Sequence, residues 1–170
     1  AAATPLTEIS GEQVTVTFND LFFGKYAGCI GETSAVMLLL GFAYLLLRRV
    51  ISPIIPFTFI GTVAVCMLIA GKGHIDFVAY ELLGGGLMLG AFFMATDYST
   101  CPLNKKGKLI FGIGCGLITS VIRIFGSLPE GVSFSIILMN ILVPHIENMT
   151  RPKAFGFVKE KKAKKEEAKV

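Results

Sequence analysis

The sequence predicts an all-α membrane protein of about five transmembrane helices, with short broken or re-entrant helices between them. Five apolar stretches separated by polar loops run through the 170 residues, of which 53% are hydrophobic. The basic residues gather in every second gap: Arg48 and Arg49 follow the first stretch, a lysine cluster at 105–108 follows the third, and a lysine-rich tail follows the fifth. This alternation is typical of a chain threaded repeatedly through a bilayer, because basic loops stay on the cytoplasmic side.

The first two apolar stretches each predict one helix. Residues 33–47 form the first stretch, which stops at the arginine pair. Pro53 and Pro56 open the second, which runs to about residue 70, and proline is well tolerated in the first turn of a helix. Both stretches are shorter than the ~20 residues of a full crossing, so we expect short flanking helices to add length.

Glycines break two short segments that precede spans. Residues 19–31 are aromatic and too short to cross a bilayer, and they predict a re-entrant half-helix before the first span. Residues 75–83 form a second short piece, followed by Gly84-Gly85-Gly86 and an apolar run to residue 95. Broken helices in front of spans are the usual pointer to a binding site in a transporter-like fold.

The last two apolar stretches, 109–125 and 132–146, complete the predicted bundle. The first of them carries Gly112, Gly114 and Gly116, and Arg123 lies near its far end. Small residues on a helix face let transmembrane helices approach closely. The glycines therefore predict a tightly packed bundle.

The alternating basic loops divide the chain into three parts. We expect an extracytoplasmic segment at 1–18, a transmembrane helical domain at 19–150 and a charged cytoplasmic tail at 151–170. Residues 159–167 interleave lysine with glutamate and have no aromatic residues, which indicates a solvated end and no nucleic-acid partner. The chain begins at Ala1, and an odd number of crossings leaves its first segment outside, so we expect a fragment or a processed product.

Neither a metal site nor a catalytic side chain is expected. The four cysteines are widely spaced, and no two of them form a Cys-x-x-Cys pair. His74 and His145 have no obvious set of ligand partners around them in the sequence. No Gly-x-Gly-x-x-Gly follows a strand, so a noncovalent dinucleotide site is not expected either.

Three acidic residues beside broken helices are candidates for an ion pathway. Charges inside apolar segments are costly in a membrane and are functional hypotheses by default. Glu32 lies at the mouth of the first span, after a glycine-broken junction, and Asp76 and Glu81 lie in the short piece at 75–83. We expect these three residues to contribute to ion movement or to its coupling.

Further charges near helix ends keep more than one interpretation each. Asp97 and Glu147 are either functional or ordinarily solvated at the membrane interface. Arg123 is either functional, or snorkels to the outer surface, or pairs with Glu130. The sequence leaves these alternatives open.

Several ordered strings resemble one protein family. The chain resembles the RnfD component of the Rnf electron-transport complex, and the related NqrB component of the sodium-pumping NADH:quinone reductase. The resemblance covers residues 1–152, which correspond to the C-terminal half of RnfD. The strings that carry it are Gly31-Glu32-Thr33-Ser34, Met94-Ala95-Thr96-Asp97, Lys108-Leu109-Ile110-Phe111-Gly112-Ile113-Gly114, Pro129-Glu130-Gly131-Val132-Ser133-Phe134 and Leu138-Met139-Asn140.

The resemblance implies a covalent flavin. The family carries FMN on a threonine through a phosphoester bond, and the matching string Ala3-Thr4-Pro5-Leu6 puts the flavin on Thr4. Ala1 stands where the family usually has Ser or Asp. A second flavin, riboflavin or FMN, is implied within the membrane part, and we expect Glu32 and Thr33 to take part in cofactor binding.

The resemblance also implies a function. It is that of a flavin-carrying membrane subunit in a complex that couples electron transfer between ferredoxin and NAD to Na⁺ or H⁺ translocation. The implied partners are the bilayer and the proteins RnfA, RnfB, RnfC, RnfE and RnfG, in the bacterial cytoplasmic membrane. Thr4 would lie outside and the C-terminus inside, so electrons would cross the membrane to reach this flavin.

Two other functions stay open at this point. One is an NqrB-like subunit with a quinone partner. The other is a channel or transporter without redox chemistry, which the broken helices fit equally well.

Overall fold

Six helices make up the described part of the chain. The structure is a computed structural model, and it describes residues 22–25, 31, 34–71, 73–126 and 131–152. No strand occurs among these residues, so the all-α prediction is confirmed. The helices are α1 at Ala35–Leu47, α2 at Ile54–Ala70, α3 at Ile75–Leu83, α4 at Leu87–Met94, α5 at Lys105–Phe125 and α6 at Val132–Thr150.

The lengths of these helices agree with a membrane protein. Helices α5 and α6, of 21 and 19 residues, are long and apolar enough to cross a bilayer. Helices α3 and α4 meet at an angle of 65° and together count as a third candidate span. Helices α1 and α2 are apolar but shorter, with 13 and 17 residues. The membrane class is therefore confirmed, and complete crossing by α1 and α2 stays a prediction.

Two helices extend beyond the apolar stretches that predicted them. Helix α5 begins at Lys105 instead of residue 109, and α6 continues to Thr150 instead of residue 146. Polar residues at the end of a span can continue its hydrogen-bond ladder into the headgroup region, so hydropathy alone underestimates the helix. Pro144 lies inside α6 without ending it, which membrane helices tolerate.

Helix α5 is the centre of the bundle, and its glycines set the packing distances. A Cβ atom added at Gly116 would lie 2.5 Å from Thr62 Cβ and 3.0 Å from the Phe59 carbonyl oxygen of α2. Gly112, one turn earlier, faces α2 in the same way at Thr58. Gly114 faces the opposite side, where an added Cβ would lie 2.6 Å from Met139 Sδ of α6. Because they have no side chains, these positions let α5 touch two neighbours closely.

Helix α4 is held between α1 and the start of α6. Phe92 of α4 stacks on Phe42 of α1 with ring centroids 4.2 Å apart. Residues Gly90–Met94 form a π-helical turn, and Gly90 contacts Val132 at the start of α6. A side chain at Gly90 would separate α4 from α6, so the close approach depends on glycine there.

The basic loops meet at one end of the bundle, which we name the basic end. The backbone N–H of Leu103, before α5, donates to Glu147 Oε1 near the end of α6, at 3.1 Å. The segment after α1 and the start of α5 line one cleft, through Val50 and Lys108. The bend between α3 and α4 lies near the last turn of α5, at what we name the opposite end. The described parts of the basic segments thus lie together, and the threading through a membrane stays a prediction.

Replacing Gly116 with alanine should destabilise the protein, because the new methyl group meets the α2 backbone. Overpacking of this kind costs about 1–3 kcal/mol. Gly61→Ala is the matched control, since a Cβ at exposed Gly61 meets nothing within 4 Å. Thermal unfolding of the full-length protein in detergent should show a lower midpoint for Gly116→Ala and an unchanged or higher one for Gly61→Ala. Equal midpoints for the two variants would contradict the described α2–α5 contact.

Candidate functional site

The bend between α3 and α4 is built by consecutive glycines. Gly85 and Gly86 have φ angles of +65° and +66°, in the left-handed region that favours glycine. Two such residues in succession end α3 abruptly and turn the chain before α4 begins. The last carbonyl groups of a helix have no intrahelical partner. The turn therefore presents backbone oxygens that need donors from elsewhere.

Arg123 of α5 supplies donors to these oxygens. Its Nη1 donates to the Glu81 carbonyl oxygen at 2.6 Å and to Glu81 Oε2 at 3.0 Å. Its Nη2 donates to the carbonyl oxygens of Gly85 at 3.2 Å and of Gly84 at 3.4 Å. One guanidinium thus caps α3, pairs with a carboxylate and fastens the glycine turn to α5.

The ion pair of Arg123 and Glu81 is almost fully buried. The two side chains expose only 2% and 7% of their surfaces. Charges taken out of water cost several kcal/mol each, and the cost is offset only when the pair is well hydrogen-bonded. The planar fork of donors in arginine suits this task, because it reaches several oxygens at once. The pair is therefore a strong local constraint on the opposite end.

Buried hydroxyl groups continue the polar face of α5 toward α6. Thr119, one turn before Arg123, donates to Ser135 Oγ of α6 at 2.7 Å, and Ser135 in turn donates to the Val132 carbonyl at 2.7 Å. Ser120 donates to the Gly116 carbonyl of its own helix at 2.8 Å. These hydroxyls are satisfied within the protein, as buried polar groups usually are.

The predicted ion-pathway and cofactor residues fall in three different settings. Thr4, Glu32 and Thr33 lie outside the described residues. Asp76 is exposed in the first turn of α3, and Glu81 is buried in its last turn. The structure therefore does not bring Asp76 and Glu81 into one environment, although they share a nine-residue helix.

The sequence left more than one interpretation open for Arg123, Asp97 and Glu147, and the structure decides between some of them. Snorkelling of Arg123 to the surface is wrong, because Glu81 and the backbone turn hold its side chain in the interior. Its pairing with Glu130 lies outside the described residues. Asp97 is exposed and accepts a bond from Thr100 at 3.0 Å, which agrees with interfacial solvation. Glu147 has a structural partner in the Leu103 backbone.

The partnership between Arg123 and Glu81 was missed at the level of sequence. Each residue is a lone charge in an apolar segment, and lone charges in membranes usually pair with one another. The alternating basic loops already put both near the opposite end. That combination is a usable signal, although the separation of 42 positions between the partners hides it from any local pattern.

A second candidate site is an open cleft of about 830 Å³ at the basic end. It lies between the segment after α1 and the loop before α5, and its walls are mainly apolar with Asp97 and Lys108 among them. Burial is the largest effect on the Cys101 thiol in this cleft and raises its pKa, while the charge of Lys108 lowers it and those of Asp97 and Glu147 raise it. No group of three metal-ligating side chains occurs in the described ranges.

Comparison with known proteins identifies the family. The model of the NQR2, RnfD, RnfE family matches residues 1–156. The chain belongs to this family. Members with curated names match over much of this chain, so the resemblance seen in the short strings is confirmed.

Three relatives in this family show how far the similarity extends. The D subunit of the Na⁺-translocating ferredoxin:NAD⁺ oxidoreductase complex of Acetobacterium woodii is 46% identical over 96% of this chain and 51% of its own length. The D subunit of the proton-translocating complex of Clostridium ljungdahlii is 43% identical over 82% of this chain and 43% of its own length. The D subunit of the ion-translocating oxidoreductase complex of Stutzerimonas stutzeri is 44% identical over 79% and 39%. The chain thus spans about half the length of these relatives or less.

Removing the carboxylate of Glu81 should destabilise the protein strongly. Glu81→Gln leaves a buried guanidinium without its counter-charge, which costs about 3–5 kcal/mol. Asp76→Asn, a change of the same kind at an exposed position of the same helix, should have little effect. Chemical denaturation of the full-length protein in detergent measures both. A Glu81→Gln protein as stable as Asp76→Asn would show that the pair does not hold the bend.

Proposed function

We propose that this chain is the C-terminal half of a flavin-carrying membrane subunit in an ion-pumping electron-transport complex. The complex would couple electron transfer between ferredoxin and NAD to Na⁺ or H⁺ translocation. The observation that carries the proposal is the 46% identity, over 96% of the chain, to a relative whose name gives that activity. The other proteins of the complex and the bilayer are the partners that follow from it.

The choice of ion stays open within this proposal. One relative is named as Na⁺-translocating and another as proton-translocating, at similar identities to this chain. The family name also includes NQR2, so an NqrB-like role with a quinone partner is the second candidate.

A covalent FMN on Thr4 is the central part of the proposed chemistry. FMN supplies one- and two-electron transfer when bound, and the protein holds it, tunes it and excludes competing reactions. The Thr4 hydroxyl would tether the phosphate, and Glu32 and Thr33 would contribute to cofactor binding. A second flavin, riboflavin or FMN, would lie in the membrane part. The support for these assignments is the family membership, since the three residues lie outside the described ranges.

Glu32, Asp76 and Glu81 are the proposed contributors to ion movement or coupling. Burial of Glu81 at a broken helix supports a role in coupling, whereas the exposure of Asp76 fits a place at an entrance. The test is the rate of ion transport in a variant in which all three carboxylates are neutralised. An unchanged rate would contradict this part of the proposal.

The proposed orientation puts Thr4 outside and the basic end in the cytoplasm. The support is the clustering of Lys105, Lys106, Lys108 and Arg151 at one end of the described bundle. Soluble electron donors would act inside, so electrons would cross the membrane to reach a flavin on Thr4.

Thr4→Ala should abolish covalent flavin, because it removes the oxygen that forms the phosphoester bond. Denatured wild-type protein should fluoresce under ultraviolet light on a gel, and the peptide carrying Thr4 should show the mass of an added flavin phosphate. Thr7→Ala, three residues away, is the matched control and should keep both signals. Absence of both the fluorescence and the mass increment in the wild-type protein would contradict the flavin assignment.

Thiol labelling tests the orientation. In variants that retain a single cysteine, a membrane-impermeant maleimide added to intact cells should label Cys29 and spare Cys101. Cys101 should react after permeabilisation, and faster at alkaline pH, because its raised pKa leaves less thiolate at neutral pH than an ordinary cysteine has. Labelling of Cys101 in intact cells would place the basic end outside.

A further inference from the structure

The oxygens at the bend between α3 and α4 form a cluster of the type that binds cations. They are the carbonyl oxygens of Glu81, Gly84 and Gly85 and the carboxylate Oε2 of Glu81. Hard cations in proteins are bound by carbonyl and carboxylate oxygens. Unwound segments of membrane helices offer such oxygens to ions in transporters.

In this chain the cluster holds a side chain of its own. We propose that the Arg123 guanidinium is a tethered cation, which occupies a cation-binding oxygen cluster at the bend and keeps mobile cations out of it. The hydrogen bonds from its two terminal nitrogens, at 2.6–3.4 Å, reach all four oxygens. Arg123 is thus a positioning residue for the bend and a barrier to ions there.

Backbone conformation sets the local geometry of the cluster, and the arginine fastens that cluster to α5. The left-handed conformations of Gly85 and Gly86 fix the direction of the turn carbonyls. Helix α3 fixes the Glu81 carbonyl and side chain, and the Gly84 N–H bonds back to the Tyr80 carbonyl at 2.8 Å. Truncation of Arg123 would therefore leave a preformed anionic cavity in a buried place, and such a cavity attracts cations.

The charge balance of the site explains the barrier. Glu81 carries one negative charge and Arg123 one positive charge, so the two charges of the pair balance each other. A mobile cation would have to enter beside a guanidinium that stays protonated in proteins, at a cost in repulsion that a low-dielectric interior increases. Fixed arginines act as electrostatic barriers to cations in membrane pores on the same principle.

A tethered cation at the bend changes what Glu81 does in the proposed ion transport. The Glu81 carboxylate would act on coupling as the counter-charge of Arg123, and it would not coordinate the transported ion directly. This consequence rests on the proposed function. The occupancy of the cluster by the Arg123 guanidinium does not rest on the proposed function. The experiment that tests this occupancy requires neither flavin nor ion transport.

Chemical rescue of Arg123→Ala tests the occupancy. The full-length protein in its membrane complex is purified in detergent, and its unfolding midpoint is measured with and without low-millimolar guanidinium, methylguanidinium or Na⁺. We expect a lowered midpoint for Arg123→Ala, which rises with the logarithm of the cation concentration as a bound ligand requires. The control variant Arg48→Ala removes an exposed arginine instead of the buried one. The unfolding midpoints of this control and of the wild type should not change with the added cations.

Rescue by a guanidinium ion or by Na⁺, seen only in Arg123→Ala, supports the proposal. A midpoint that no cation raises above the response of the Arg48→Ala control overturns it. If Arg123→Ala does not assemble, the variants Arg123→Lys and Arg123→Met are compared instead. The lysine and methionine side chains have similar lengths, and only lysine carries a positive charge. Assembly of the lysine variant alone supports a tethered cation, and equal behaviour of the two variants overturns it.

Discussion

The buried ion pair between Arg123 and Glu81 is the constraint on which the opposite end of the bundle depends. Its guanidinium joins the last turn of α3, the glycine turn and α5 through four hydrogen bonds. The hydroxyl contact between Thr119 and Ser135 then joins the same region of α5 to the start of α6. A bend of 65° in an apolar environment exposes backbone oxygens that lipid cannot satisfy, and the arginine satisfies them from inside the protein.

The glycines of α5 make this arrangement possible by bringing the helices close enough. Gly112 and Gly116 let α2 pack on one side, and Gly114 lets α6 pack on the other. Lipid provides no hydrophobic driving force between membrane helices, so close packing and polar contacts have to hold them together. The opposite end uses a charged contact for this purpose, and the basic end uses bonds such as that from Asn104 to the Thr150 carbonyl.

Sequence patterns predicted the class, the apolar segments and the shared end of the basic loops, because each of these depends on local composition. The same patterns located the bend, since three successive glycines after a short helix have few other uses. They missed the start of α5 at Lys105, because a helix does not end where hydropathy falls. They also missed the partner of Arg123, because the choice between Glu81, Glu130 and the surface depends on how α3 packs against α5. Thr4, Glu32 and Thr33 stay predictions that rest on the family.

An electron cryomicroscopy map of the full-length protein in its complex tests the role of the ion pair most directly. We expect continuous density for the Arg123 side chain in the bend, with its guanidinium within hydrogen-bonding distance of the Glu81 carboxylate and the Gly85 carbonyl oxygen. Density for Arg123 directed at lipid or solvent, with an ion or water bound to the turn carbonyls instead, would contradict the tethered-cation arrangement.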